Sequence, residues 1–504
     1  MMRRTLRFVL CAAALVAATL VLRAQDAITA GDAELQFQLA NLLADETRFR
    51  EALDAYDKAI LTTDHDLQVR AREGKVRAAL RIAEYDLAAK EAELLRASAP
   101  NDPQALSVYA DSIWAAGLFD EADAVYNQAL SINKESSRAR FGIARSLATR
   151  SKLKEALVEA QAAAAMSPRD GEIHAEIGEI YSRQHRFDEA ANAYTNFINL
   201  LPNKDRSDKA SWTRSQIKFL QAFEGRIPVD IDPEDLTSVH TIPFHLVDDK
   251  IVVQAKVNGG RAQDFVLDTG SEETVISQET ARRANISPIT LTLSAGVGEV
   301  GLRGLQLSRI DRFDLGDLQV RNIPVLVKNP ALRGIPKREM EGFSPLAFGM
   351  SVVIDYQHRQ LLIARSLPDG DAGDLRLPLR VHRLAMVRGM LNDTRPTYFV
   401  VDTGGEVISI SSETAGHFDR SDMRKIPLRV YGTSGWDREA FLLPGMNLNF
   451  DQIEYHNLPL VVLNLRAPSV LLGFQLGGIV GHNFLSHYMV ALDTERSELR
   501  LQKF

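Results

Sequence analysis

The strongest constraint on this chain is an internal repetition. Phe265-Val266-Leu267-Asp268-Thr269-Gly270-Ser271 returns 134 residues later as Phe399-Val400-Val401-Asp402-Thr403-Gly404-Gly405. Each copy runs a short apolar strand into a carboxylate, a small hydroxyl residue and a glycine. The likeness continues downstream, where Thr274 to Ala281 stands over Ile408 to Ala415, with Glu279, Thr280 and Ala281 matching Glu413, Thr414 and Ala415. A copied stretch of this length is a folded unit. It predicts two similar β-rich lobes that bring Asp268 and Asp402 to one cleft.

At 504 residues the chain is too long for one core. Its formal charge of -7 is spread along the sequence, which argues against nucleic acid as a partner and supplies no basic membrane-binding tail. The first residues differ from the rest. Arg3, Arg4 and Arg7 precede an apolar run from Phe8 to Leu22, the pattern of a secretory signal over residues 1–24. Cleavage after Ala24 is expected, although Leu22 occupies a position that favours a small residue. The expected location is therefore outside the cytoplasm, in a bacterial periplasm or the exterior, with the membrane involved only if the segment stays uncleaved. The one cysteine, Cys11, lies inside this run, so the mature chain would have neither disulfides nor thiol chemistry.

Residues 31–223 have a helical period. Phe49, Tyr85, Phe119, Leu153 and Phe187 recur at intervals of 36, 34, 34 and 34, and each is followed three residues on by alanine: Ala52, Ala88, Ala122, Ala156 and Ala190. The second helices carry Tyr56 with Ala59, Tyr126 with Ala129, and Tyr194 with Phe197 on one face. Pro100, Pro103, Pro168 and Pro202 fall in the connections. The pattern resembles the tetratricopeptide repeat, departing from its aromatic-with-glycine turn at Tyr85 and Leu153. About five copies and a capping helix from Ser207 to Phe223 fill the region. The resemblance implies an all-α solenoid whose concave face binds a protein partner. His65, His174 and His185 have no metal-ligand spacing and read as structural or surface residues. The stretch 224–236, with two prolines and a glycine, reads as a linker.

Beyond it the pattern is β. Residues 237–366 form the first expected lobe and 375–504 the second. Ile251 to Val257 enters an Asn258-Gly259 turn before Phe265 to Leu267 delivers Asp268, and Ala385 to Leu391 enters Asn392-Asp393 before Thr397 to Val401 delivers Asp402. Gly270 would let its loop approach the opposite one. Val352 to Tyr356 with Leu361 to Ile363, and Met489 to Asp493 with Leu499 to Leu501, read as a hairpin closing each lobe.

This region resembles the aspartic peptidases, and most nearly the retropepsin-like branch with small lobes. Two Asp-Thr-Gly copies behind apolar strands carry the resemblance, together with Ile479-Val480-Gly481-His482-Asn483, which matches the family's second signature. The resemblance implies a multidomain protein, a helical array followed by two lobes in a pseudo-dimer. Asp268 and Asp402 would be catalytic. Thr269, Gly270, Ser271, Thr403, Gly404, Gly405, Ile479, Val480 and Gly481 would support the catalytic loops, with the two threonines locking lobe to lobe. There are departures. Lobe one has Glu341 to Gly349 in place of the second signature, and counting back from Asp355 and Asp493 aligns Gly342 with Gly481. Lobe two has Gly405 where the family has a hydroxyl donor to the carboxylate, so Asp402 is expected to be less well held than Asp268. Tyr431-Gly432-Thr433-Ser434-Gly435 resembles a substrate-covering flap, and Gly296-Val297-Gly298-Glu299-Val300-Gly301 is a glycine-rich counterpart.

Two carboxylates sharing a site cannot both ionise cheaply, so the pair would hold one proton and activate a water against a peptide carbonyl. No motif for a metal, a P-loop or a cysteine nucleophile competes. No cofactor is expected, and His482 and His487 read as structural. Two functions stay open: an aspartic endopeptidase whose repeats recruit its peptide or protein substrate, and a catalytically weak or inactive descendant kept for peptide binding or assembly. Pairing of each lobe with a lobe of another chain is a further alternative.

Overall fold

The computed structural model describes residues 30–205, 207–298, 301–328, 341–371, 373–418 and 425–504. The expected signal over residues 1–24, with Cys11, and the flap residues Glu299 and Val300 lie outside them. Among the described residues no helix is long and apolar enough to cross a membrane. Helices occupy Ala30–Asp45, Phe49–Ile60, His65–Arg81, Tyr85–Ser98, Pro103–Ala115, Phe119–Ile132, Ser137–Thr149, Leu153–Met166, Gly171–Arg183, Phe187–Leu200 and Asp208–Gln221. All five periodic alanines, from Ala52 to Ala190, are fully buried, as alanine must be where two helices approach closely.

The chain divides into two compact units, residues 30–116 with 124–139, and residues 117–123 with 140–504. The first is helical, with a core built on Ala40, Ala52, Tyr56, Ala79, Ala88 and Leu95. Its helix starts are set by Asp64 and Asp102, whose carboxylates accept from the N–H groups of the first turn. Thr47 and Ala83, in the turns before Phe49 and Tyr85, hold left-handed φ values of 63° and 55°. Non-glycine residues adopt this conformation at a cost of about 1–2 kcal/mol.

In the second unit the same turn position is filled by Gly117, Ser151 and His185, with φ of 81°, 56° and 57°. A Cβ at Gly117 would also lie 2.8 Å from the Gln475 carbonyl oxygen. Helical and β parts of this unit are joined by buried charge. Arg380, 2% exposed, donates to Asp120, Asp123, Thr149 and the Tyr398 hydroxyl. Arg388 reaches Asp120 and Glu121. Phe119 packs edge-on against Tyr398 and Phe474. Further along, Phe187, Phe219, Phe223 and Leu307 form one cluster.

The β region has two large sheets. One contains Lys250–Val257, Gln263–Leu267, Thr274–Ile276, Arg303–Leu315, Leu318–Val327 and Glu341–Phe343; the other contains Leu384–Leu391, Arg395–Val401, Ser409–Ser411, Phe441–Phe450, Ile453–Leu463 and Gly478–Val480. The repetition is visible in their local structure. Ser277 and Ser411 each cap a short helix, Gln278–Arg283 and Ser412–Gly416, by accepting from Thr280 and Thr414 N–H.

Three expectations change. The stretch 224–236 is not a bare linker: Asp230–Ile231 pairs with Leu318–Val327, and Pro233–Thr237 is helical. Asp230 and Asp232 bind Arg321 and hold the stretch to that strand. Second, both closing hairpins form as expected, but they also pair with one another. Ser351–Asp355 pairs both with Gln360–Ala364 and with Tyr488–Asp493, so a ribbon ordered His240–Pro243, Gln360–Ala364, Ser351–Asp355, Tyr488–Asp493, Glu498–Lys503, Leu375–His382 runs through both halves. One apolar core runs from Val229 to Leu501. Third, the capping helix stops at Gln221, short of Phe223.

The turn geometry yields a test. Ala83→Gly removes left-handed strain and is expected to stabilise by about 0.5–1 kcal/mol. Gly117→Ala adds that strain and a carbonyl contact, and is expected to cost about 2 kcal/mol or more. Thermal unfolding of the two variants should shift in opposite directions.

Candidate functional site

Asp268 and Asp402 end matched strands. Phe265, Val266 and Leu267 run parallel to Glu341, Gly342 and Phe343, and the Phe343 carbonyl accepts from Asp268 N–H at 2.9 Å. Phe399, Val400 and Val401 run parallel to Gly478, Ile479 and Val480, and the Val480 carbonyl accepts from Asp402 N–H at 3.0 Å. The register corrects the alignment by counting: Gly342 is the counterpart of Ile479, and Ser344 of Gly481. Glu341 in turn accepts from Ser277 N–H and from the Ser277 and Thr280 hydroxyls, so it holds the loop end and helix that follow Asp268.

The threonines join the loops. Thr269 N–H donates to Thr403 Oγ1 at 3.1 Å and Thr403 N–H donates to Thr269 Oγ1 at 3.1 Å. Thr269 Oγ1 donates to the Val401 carbonyl at 2.6 Å, and Thr403 Oγ1 to that of Leu267 at 2.7 Å. Both residues are buried, so every polar group in the exchange is satisfied by the opposite loop. One chain supplies both loops. Glycine is required beside them. A Cβ at Gly270 would lie 2.5 Å from Asp402 Oδ1, and one at Gly404 would lie 2.7 Å from Asp268 Oδ1.

The two carboxyls are partly accessible and approach the same point: a Cβ at Gly404 would lie 2.7 Å from Asp268 Oδ1 and 3.1 Å from Asp402 Oδ1. Burial pushes both above the usual carboxylate range. Asp268 is raised to about 7, first by burial and next by the Asp402 charge, against the Gly270 N–H and Lys328. Asp402 is also raised by burial, and is opposed by the N–H groups of Gly405 and Gly404 and by Lys250. Asp268 Oδ1 accepts from Gly270 N–H at 3.1 Å. Asp402 Oδ1 accepts from Gly404 N–H at 2.8 Å and from Gly405 N–H at 2.9 Å. The expected weakness at Gly405 is thus reversed. Ser271 gives its hydroxyl to the Glu273 carbonyl at 2.8 Å, and Asp402 is the better-held carboxylate because glycine backbone supplies the donor.

Gly481 supports the second loop from below. His482 N–H donates to Gly405 O and Asn483 N–H to Glu406 O, both at 2.9 Å. A Cβ at Gly481 would lie 2.7 Å from Glu406 backbone. Val480 is buried and Ile479 half-buried. His482 is buried against Tyr356, whose hydroxyl lies 3.4 Å from Nδ1, while His487 Nδ1 lies 3.3 Å from the Phe484 carbonyl.

The two glycine-rich tips touch. Ser434 N–H donates to the Val297 carbonyl at 2.9 Å. Side chains at Gly296, Gly298 or Gly432 would collide with Thr433, Ser434 or Val297. Tyr431 lies in the two-strand hairpin Val430–Gly432 with Gly435–Asp437; it stacks edge-on with Trp436 and is 42% exposed.

Two cations escaped the sequence reading. Lys250 donates to the Gly404 carbonyl at 2.5 Å and lies 4.0 Å from Glu406; Arg383 pairs with Glu272 at 2.7 Å. Glu406 follows Glu272 by 134 residues, but the strand register makes Leu384 the counterpart of Lys250 and Asp249 that of Arg383, so the duplication marks the two glutamates and not the two cations. Among the described residues no cluster of three or more metal-ligating side chains occurs.

The threonine exchange makes a clear prediction. Thr403→Val strands the Thr269 N–H and the Leu267 carbonyl without partners, and should destabilise by about 2–4 kcal/mol. Thr403→Ser, which keeps the hydroxyl, should lose less than half of that in denaturant unfolding.

Residues 253–352 match the family model described as aspartyl protease, and residues 109–171 match that described as tetratricopeptide repeat. An aspartyl-protease-family domain and a helical-repeat region therefore stand in one chain. The first match contains Asp268 and ends before Asp402. Similar solved structures include TTC0263, a thermophilic tetratricopeptide protein of Thermus thermophilus, at 17% identity over 38% of this chain and 99% of that one, with a TM-score of 0.32. YrrB, a tetratricopeptide protein with an unusual peptide-binding site, is 20% identical over 33% of this chain and 86% of its own, with a TM-score of 0.22. MamA AMB-1 is 19% identical over 33% and 96%, with a TM-score of 0.24. No curated protein matches the chain.

Proposed function

We propose that this protein is an exported aspartic-type endopeptidase, with a retropepsin-like pseudo-dimer over residues 237–504 and repeats that recruit a peptide or protein substrate. The observation that carries this reading is the reciprocal Thr269–Thr403 exchange, which ties the two Asp-Thr-Gly loops together and supports Asp268 and Asp402 acting as one pair. Its sign and symmetry are those a water-activating pair needs. One carboxylate takes a proton from the water as its oxygen attacks the scissile carbonyl carbon, and the other, protonated, donates to the carbonyl oxygen. The pair titrates as a unit, and activity is confined to pH values at which it carries one proton. Neither aspartate forms a covalent bond with the substrate. The contact between Val297 and Ser434 supports a two-tipped flap over the cleft, which must part for substrate to enter. Export by residues 1–24 belongs to the same reading.

Purified protein is incubated with a diverse peptide library from about pH 3 to 8, with Asp268→Asn and Asp402→Asn alongside. Cleavage by wild type that either substitution reduces by about 100-fold or more, on the order of a lost acid–base group, is the expected result. Equal cleavage by all three refutes the mechanism, and binding without cleavage supports the non-catalytic descendant.

Stability gives an independent check. The Asp268 value of about 7 in the folded chain exceeds its ordinary 3.8, so the folded state binds this proton more tightly than the unfolded state. The group's contribution to stability then falls as pH rises between about 4 and 7. Asp268→Asn should unfold at a higher temperature than wild type at pH 7, by a few degrees, with the gap closing toward pH 4.

A further inference from the structure

The two halves of the carboxyl pair are not held alike. Arg383 is engaged locally, giving Nε to Glu272 at 2.7 Å and Nη1 to the Leu471 carbonyl at 3.0 Å. Lys250 stays 4.0 Å from Glu406 and instead donates to the Gly404 carbonyl at 2.5 Å. That carbonyl belongs to the peptide whose N–H is Gly405's, and this N–H donates to Asp402 Oδ1 at 2.9 Å. An ammonium, one peptide dipole and a carboxylate thus lie in series, each hydrogen bond polarising the next. The corresponding peptide of the first loop joins Gly270 to Ser271. Its N–H donates at 3.2 Å to the backbone carbonyl of Asp268, as Gly405 N–H does to that of Asp402 at 3.3 Å, but the Gly405 N–H also reaches its carboxylate.

We propose that Lys250 is a positioning residue: acting through the Gly404–Gly405 peptide, it places the pair's negative charge on Asp402 and leaves the shared proton on Asp268. The inference rests on the peptidase reading and assigns the roles within it. Asp402 takes the water proton while the water oxygen bonds to the carbonyl carbon, and the Asp268 proton passes to the carbonyl oxygen. On collapse of the resulting diol, a hydroxyl proton returns to Asp268, the C–N bond breaks, and the Asp402 proton goes to the leaving amine. Other groups face the pair. Lys328 favours charge on Asp268, as Lys250 does on Asp402. Glu406 faces Lys250, and both Asp249 and Lys250 act on the His482 ring. Glu273, further along the first loop, is raised to about 8, first by burial and next by Glu272, against Arg383.

The test compares wild type, Lys250→Met and Lys250→Arg, using a fluorogenic peptide chosen from sequences that wild type cleaves, across the full pH range. In Lys250→Met the acid limb of kcat/KM should move up by about one pH unit, while the alkaline limb, which reports Asp268, moves by less than half as much. The kcat should fall with KM unchanged, and Lys250→Arg should restore the wild-type profile. Limbs that stay put, or that move together, overturn the proposal. A second readout needs no turnover: carboxyl titration by NMR with 13Cγ-labelled aspartate, assigned with Asp268→Asn and Asp402→Asn. The lower midpoint should belong to Asp402 and rise in Lys250→Met. A lower midpoint at Asp268, or one indifferent to Lys250, overturns it. Wild type that cleaves nothing sinks the peptidase reading alone, and the titration still decides the role of Lys250.

Discussion

Everything at the candidate site depends on four hydrogen bonds exchanged between Thr269 and Thr403. Each hydroxyl accepts from the other threonine's N–H and donates to the carbonyl one residue before the opposite aspartate. The net gain from any one such bond is only about 1 kcal/mol, but leaving any buried member unpaired costs about 1–3 kcal/mol. The exchange therefore acts chiefly as an alignment device. Any slide of one loop past the other breaks several bonds together. The aspartates follow the threonines by covalent geometry, which holds two like-charging groups near enough for the Asp402 charge to help raise Asp268. Glycine at 270 and 404 is the second condition, since a methyl group at either position would occupy the opposite carboxyl.

The surroundings make that alignment tolerable. The ribbon through His240–Pro243, Ser351–Asp355 and Tyr488–Asp493 joins the halves by backbone pairing, and one core lies behind both loops. A lobe in this arrangement is not an independent sheet that docks late. On the helical side, Arg380 is nearly sealed from solvent among Asp120, Asp123, Thr149 and Tyr398. Removing one member of such a buried set leaves an uncompensated charge, typically at a cost of about 3–5 kcal/mol. This specifies where residues 119–123 attach, because few other surfaces could satisfy the guanidinium.

The parts legible in the sequence were those with a period or a copy. The 34-residue interval marked the alanines that the helices bury, and the 134-residue offset marked the loops, the serine caps and the threonines. What escaped was partner choice. Val352 to Asp355 was legible as a hairpin with Leu361 to Ile363, but nothing in it says that its other edge pairs with Val490 to Leu492. The stretch 224–236 read as a linker from its prolines and glycine because Arg321, the partner of Asp230 and Asp232, lies some ninety residues away. The hydroxyl of Ser271 was assigned to Asp268 by residue type alone, although side chain and backbone compete for such a role. Backbone won at Gly405, where the absence of a side chain cost nothing.

Duplication within one chain has a physical consequence that two identical subunits cannot reproduce. In a symmetric pair both aspartates meet identical donors, and the proton's position is degenerate until substrate breaks the tie. Here the copies have drifted: Gly405 stands where the first copy has Ser271, and Leu384 where it has Lys250. These substitutions leave the threonine exchange intact while changing what each carboxylate accepts, one backbone N–H at Asp268 and two at Asp402. Alignment and charge placement are therefore carried by different residues, so the second can vary without disturbing the first. A glycine that looks like a lost donor is then better understood as one side of an asymmetry, in which the backbone of the second loop, polarised by Lys250, does what the first loop's serine does not.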